Sequence, residues 1–138
     1  MSSIVQTQTT SFKTELYTAI HNLSTDTLKI ALYTANADLN EATTVYTTSS
    51  EVTGGGYTSG GVVLTGVTIS SDGYTAYVNF NNASFSAAVT ARCALIYNAS
   101  KANRSIAVLD FGSDKTSSSF IITMPANTAT SALIRSSN

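Results

Sequence analysis

Short apolar runs of period two, broken by turn-forming residues, recur along most of this chain and constrain its fold more than any other feature. Leu28, Ile30 and Leu32 alternate with Lys29, Ala31 and Tyr33. Residues 62–70, 74–80, 91–97, 105–111 and 120–124 follow as further runs at short intervals. Successive side chains of a strand point to opposite faces, so this period predicts strands resting one face on a core. Asp72-Gly73 between two such runs predicts a hairpin with a type I′ turn, whose central residues need positive φ. A second antiparallel pair is joined through residues 98–104. Pro125 ends the run at 120–124 because it has no N–H to offer a ladder. Val45-Tyr46 and residues 132–135 fit short strands.

One segment departs from this period. Phe12, Leu16, Ala19, Ile20 and Leu23 fall at helical spacing and predict an amphipathic helix over 11–23. Thr10 or Ser11 is placed to cap it by accepting from a free backbone N–H. Residues 1–9 are polar and aperiodic and read as a flexible arm ahead of one β-rich domain at 10–138. Gly54-Gly55-Gly56 and Gly60-Gly61 flank Tyr57-Thr58-Ser59 in a tightly turning or mobile loop. One N-terminal helix and about seven or eight short strands predict a mainly β chain, an antiparallel sandwich or jelly-roll-like domain.

The polar side of these strands is unusual. Charged residues make up 11% of the 138, against about 25% in ordinary domains. Ser and Thr supply roughly 30% instead. Such a surface is neutral and suited to packing against another protein. The net charge is −1, with no run of Lys or Arg. That removes the electrostatic footprint of a nucleic-acid or anionic-membrane binder. No stretch approaches the ~20 apolar residues of a membrane-spanning helix. The N-terminus lacks the basic start and apolar stretch of a signal peptide. Cys93 stands alone, so no internal disulfide or Cys-based zinc site is expected.

Residues able to do chemistry are sparse. His21 is the single histidine, placed near the end of the predicted helix, and one histidine cannot build a multi-His metal site. Cys93 alternates with Arg92 and Ala94 and so shares the apolar face of Ala91 and Leu95, as a buried cysteine would. Asp110 and Asp114 flank Phe111-Gly112-Ser113 but lack the ligand alternation and closing Glu of a calcium loop. The expected role of Asp110 is local: bonding to turn N–H groups, or pairing with Lys115 or Arg104. The glycine stretch has no Gly-Lys-Ser/Thr ending and no following helix, unlike a phosphate loop. Asn22, Asn82, Asn98 and Asn103 each begin an Asn-x-Ser triplet, which a Ser-rich chain yields by chance. These patterns point away from an enzyme, a metal or a cofactor. Tyrosine is the exception, with seven residues and no Trp. Tyr33, Tyr46, Tyr57 and Tyr77 lie beside hydroxyl or small residues. Tyrosine joins large contact area to one polar tip, so these four are the candidate interface residues.

Several of these stretches also carry a likeness. Ser11-Phe12-Lys13-Thr14-Glu15-Leu16, Leu28-Lys29-Ile30-Ala31-Leu32-Tyr33-Thr34, Val45-Tyr46-Thr47-Thr48 and Gly56-Tyr57-Thr58-Ser59-Gly60-Gly61 belong to it. It is clearest in Arg92-Cys93-Ala94-Leu95-Ile96-Tyr97-Asn98 and Ile106-Ala107-Val108-Leu109-Asp110-Phe111-Gly112. Over most of 11–135 the chain resembles a family of small tailed-bacteriophage virion proteins. The resemblance implies a capsid decoration, or cement, protein on the outer capsid surface, made in the host cytoplasm. Its implied partner is the major capsid protein, whose neighbouring subunits it would bridge, and a homo-oligomer is expected. These are segment similarities and bring no site residues with them. A neck, tail or fibre component fits the same composition. A glycan-binding module is the reading from another class, with Tyr57 or Tyr97 as sugar platforms.

Overall fold

The computed structural model describes residues 3–137. In chain order these form β1 (Ser3–Ile4), β2 (Thr7–Gln8), α1 (Thr10–Tyr17), β3 (Leu28–Tyr33), β4 (Asp38–Leu39), β5 (Val62–Val63) and β6 (Thr68–Asp72). Then follow β7 (Thr75–Asn79), β8 (Ala83–Phe85), β9 (Val89–Asn98), β10 (Arg104–Ser117), β11 (Phe120–Ile122) and β12 (Ile134–Ser136). The chain is mainly β with one helix. Its strands form an antiparallel five-stranded sheet ordered β2-β10-β9-β3-β5, a three-stranded sheet β12-β7-β6, and the pairs β11-β8 and β1-β4. All pairings are antiparallel except β1 with β4.

The five-stranded sheet carries a core on each face, which alternation along its central strands builds. Leu28, Ile30 and Leu32 of β3 join Ala94 and Ile96 of β9 in the larger core, with Phe12, Phe85 and Phe120. Ala31 and Tyr33 join Cys93, Leu95 and Tyr97 in the smaller core, covered by Ala37 and Leu39. The expected half-buried strand at 28–33 is therefore buried on both faces apart from Lys29. Ala and Tyr among its even positions carry no polarity strong enough to have kept that face wet.

Two irregularities in β10 set which side chain reaches which core. Ser105 pairs with Tyr97 and Ala107 with Ile96, so Ile106 is an extra residue in the ladder. Such a bulge interrupts strict alternation. Ile106 and Ala107 both enter the larger core, and Val108 enters the smaller one. Farther along, Asp110 pairs with Cys93 and Lys115 with Ala91, leaving 111–114 outside the register. Across this break Ala91 belongs to the larger core, whereas Cys93 shares the smaller one with Leu95. The expected common face of Ala91 and Cys93 is thus divided.

The expected flexible arm is built into the fold over its described part; residues 1–2 lie outside the described residues. Ser3-Ile4 pair with Asp38-Leu39, and Thr7-Gln8 pair with the β10 edge at Val108-Ala107. Thr9 is fully buried, and its N–H donates to the Ile106 carbonyl at 3.0 Å. Polar aperiodic sequence suits such an edge, where backbone groups rather than side chains supply the contacts.

The helix is shorter than its apolar spacing predicts. Its N-cap is Thr9, whose Oγ1 accepts from Phe12 N–H at 3.3 Å, rather than Thr10 or Ser11. It ends after Tyr17 in a Schellman turn: Ile20 N–H donates to Glu15 O and Ala19 N–H to Leu16 O. Ala19 holds the left-handed position at φ 61°. Neither Gly nor Pro announces this stop. The turn brings His21 and Leu23 down into the protein, both buried. A left-handed Ala is strained by roughly 1–2 kcal/mol, and Gly gives back part of the relief as backbone entropy. Ala19→Gly is expected to stabilise the protein by ~0.5–1 kcal/mol, seen as a raised urea midpoint at unchanged slope.

The Asp-Gly hairpin exists, one residue out of the expected register. Asp72 pairs with Thr75, so Gly73 and Tyr74 form the two-residue turn. Only Gly73 of the two takes positive φ, at 60°. Gly at the first central position is the pattern of a II′ turn rather than the predicted I′. The shift presents Tyr74 at the tip.

Candidate functional site

Three of the four interface candidates gather around one loop, Tyr33 fully buried and Tyr46 and Tyr57 half-buried. Glu51 is buried, and its carboxylate accepts four hydrogen bonds. Tyr46 donates to Oε1 at 2.6 Å and Ser59 to the same oxygen at 3.0 Å. Tyr57 donates to Oε2 at 2.6 Å, and the Gly60 N–H to that oxygen at 2.8 Å. The Tyr57 hydroxyl also accepts from Leu32 N–H at 3.0 Å, tying the loop to β3. Tyr97 stacks on Tyr46 with ring centres 4.7 Å apart and donates to Gly60 O at 2.6 Å. Tyr33 is fully buried, and its hydroxyl donates to Thr47 O.

Tyr33, Tyr46 and Tyr57 therefore frame the glycine loop; Tyr33, fully buried, is removed from the interface candidates, while Tyr46 and Tyr57 are half-buried with their hydroxyls held by Glu51. Burial raises all four phenols above the ordinary range, Tyr97 to about 12, and the Glu51 charge adds to it. They remain protonated donors. Phenol side chains pay for their own burial here by bonding a carboxylate, which no local sequence pattern announces. Of the two tyrosines named for the glycan reading, Tyr97 is buried, and Tyr57 is half-buried with its hydroxyl on Glu51.

A second polar cluster locks α1 to the β9–β10 turn. His21 has no exposed side-chain surface; its ring lies 5.1 Å from that of Phe12. Its Nε2 meets Glu15 Oε1 at 2.8 Å, and its Nδ1 meets Asn98 Nδ2 at 3.0 Å. Asn98 Nδ2 also donates to Asp26 Oδ2 at 2.7 Å, while Oδ1 accepts from Ser100 N–H at 3.0 Å. Flipping that amide would set two acceptors against each other, so Nδ1 accepts and Nε2 carries the proton. Arg104 closes one end on Glu15 at 3.1 Å and Lys101 the other on Asp26 at 2.9 Å. His21 thus serves this chain of bonds, with partners up to 77 residues away in sequence.

Asp26 gives this network a pH dependence. Burial works to raise its carboxyl, but bonds from Lys101, the Asn22 N–H and Asn98 outweigh it and hold it at about 2, below the ordinary 3.8. A carboxyl depressed on folding adds stability that is complete above its unfolded value and is lost as pH falls through the folded one. Stability should therefore fall between pH 3.8 and about 2, partly through Asp26. Asp26→Asn should flatten that part of the profile, measured by urea unfolding at a series of pH values.

Cys93 is buried, and burial pushes its thiol up to about 12, with the Asp110 charge adding to the rise. Such a thiol is a poor nucleophile near neutrality. Asp110 pairs with Arg92 at 3.1 Å, neither Lys115 nor Arg104, and accepts from Gly112 N–H at 2.8 Å. Among the described residues, no group of three or more His, Cys, Asp and Glu could hold a metal ion, and no buried side-chain N or O lacks a partner. No helix among them is long and apolar enough to cross a membrane.

Tyr77 is the candidate that faces a surface feature. It is half-buried in the wall of a groove of about 500 Å³ between α1 and the β12-β7-β6 sheet. Leu16, Tyr17 and Ile69 line the same groove, with Lys13 and Arg135 on its border. Tyr17 is 92% exposed and Ile69 55%. The other freely exposed aromatic is Tyr74, at 90%. Neither Tyr17 nor Tyr74 was marked by its sequence neighbours. The apolar period sets Tyr74 at the start of the run 74–80, and only the one-residue shift of the turn to Gly73-Tyr74 exposes it.

Neither family models, curated proteins nor solved structures give a match to this chain.

Proposed function

We propose that this protein is a virion structural component of a tailed phage, a capsid decoration protein that binds the outer surface of the major capsid protein shell and stabilises the head. The observation that carries the reading is a division of labour. The reactive side chains, Glu51, His21 and Cys93, are enclosed and engaged in holding the fold. Large apolar side chains are left on several separate elements: Tyr17 on α1, Val63 on β5, Ile69 on β6, Tyr74 at the hairpin tip and Ile121 on β11. Bridging shell subunits requires more than one adhesive face, whereas a single-ligand protein concentrates its contacts in one site. The neutral hydroxyl-rich surface and the segment resemblance to phage virion proteins support the same reading. We read the architecture as sandwich-like, with the five-stranded sheet as its central layer. Many equivalent sites on a shell compensate for modest affinity at each.

Reconstruction of intact particles tests this. The expected result is density for the chain over the outer head surface, at high copy number, against the major capsid protein. Density confined to neck, tail or fibre at low copy number would replace the decoration reading with that alternative. Absence from the particle would overturn both.

A further inference from the structure

We propose that the groove between α1 and the β12-β7-β6 sheet receives the β6–β7 hairpin tip of a second copy of this chain, so that copies associate head to tail. The groove has a defined chemistry. Leu16, Tyr17, Ile69 and Tyr77 give it an apolar and aromatic wall, Thr7, Gln8 and Ser136 supply neutral polar groups, and no acidic residue lines it. Arg92, Lys101 and Arg104 are engaged in ion pairs; among the described residues the other four of the seven basic residues make none, and two of those, Lys13 and Arg135, border this groove. A complementary occupant brings a bulky ring together with a carboxylate.

The chain presents that combination at one place. Tyr74 projects from the hairpin turn, and Asp72 beside it is exposed and makes no ion pair among the described residues. The tip cannot fold back into the groove of its own molecule. Tyr74 sits in the turn at the end of a strand pair, five residues long on each side, whose own residues Ile69, Ala76, Tyr77 and Val78 form the groove wall. The contact is therefore between copies and heterologous, with a different surface from each partner. A hairpin tip in a groove is smaller than the ~1,200 Å² of a stable interface, so the contact is transient in solution. Neighbouring copies fixed on a lattice would be joined far more effectively. The inference does not depend on the phage reading, because the purified chain alone tests it.

Sedimentation equilibrium of the full chain, from micromolar to millimolar, should show association that grows with concentration and weakens with added salt. Tyr74→Ser on the tip should weaken it about tenfold or more, as removal of an aromatic anchor does. Leu16→Gln with Tyr17→Gln in the groove should do the same. All three positions are exposed, and circular dichroism confirms that both variants fold. Mixing the two variants should restore pairing as a 1:1 dimer that does not grow, since one retains only a working groove and the other only a working tip. A wild-type chain that stays monomeric throughout overturns the proposal, as does association indifferent to Tyr74→Ser. A mixture that fails to pair overturns it as well. Asp72→Lys serves as a second tip variant and is expected to weaken association in the same direction.

Discussion

Glu51→Ala should destabilise this protein by about 3 kcal/mol, a large share of the ~5–15 kcal/mol that holds a domain of this kind together. The carboxylate is the common acceptor for the Tyr46, Tyr57 and Ser59 hydroxyls and the Gly60 N–H. Hydrogen bonds to a charged group contribute roughly 1.5–3 kcal/mol each, and buried donors left without an acceptor cost about 1–3 kcal/mol. The effect stays below their sum because the variant no longer buries a charge and because water reaches the more exposed Ser59. Glu51→Gln should lie between the two. Its carbonyl can accept part of the set, but its NH₂ faces donors. Urea unfolding with an unchanged slope is the measurement. A loss under about 1 kcal/mol for Glu51→Ala would mean the loop at 54–61 is not fastened through this group.

Gly61→Ala should be among the most damaging glycine substitutions, with a loss of at least ~3 kcal/mol. A Cβ at position 61 would lie 1.8 Å from the Ile30 carbonyl oxygen and 2.6 Å from its carbon. That obstacle is backbone of β3, paired on one side with β9 and on the other with β5, so it cannot swing aside. The residue also holds φ 80°, which disfavours any L side chain. Gly54→Ala is the matched control. It has the same φ of 80° and nothing within 4 Å of its Cβ, so only the conformational term of about 1 kcal/mol applies. Equal losses for the two variants would show that the close approach to β3 contributes nothing. Gly61→Ala should also uncouple Tyr57 and Gly60 from Glu51, so its effect and that of Glu51→Ala should not add.

Both variants act on a segment whose sequence says only that it turns. The glycines at 54–61 announce a loop, and the tyrosine among them reads as an exposed contact. The donors to Glu51, Tyr46 and residues 57–60, lie within nine residues of it on either side, but no periodicity or motif pairs them with it, and the platform beneath comes from distant β3. The same limit applies to the helix. The spacing of Phe12, Leu16, Ala19, Ile20 and Leu23 is helical throughout, yet the helix stops at Tyr17. The chain accepts a left-handed Ala19 because the turn places His21 between Glu15 and Asn98. A bond to a residue on another strand decided the helix end, against the local preference.

What the sequence determined by itself is the β character of the chain, the short helix near its start, and the strands at 28–33, 91–97 and 105–111. Those follow from period, which is a property of neighbouring residues. It also showed Cys93 as a buried side chain and residues 72–73 as part of a hairpin. Tertiary structure alone decided which face of each strand met water, because that depends on what covers the sheet. The bulge at Ile106 moved one side chain between cores, and the second layer over Tyr33 and Tyr97 turned apparent surface tyrosines into interior donors. The same step left Tyr17 and Tyr74 uncovered. Exposure is set by contacts between distant segments, and no window of sequence contains them.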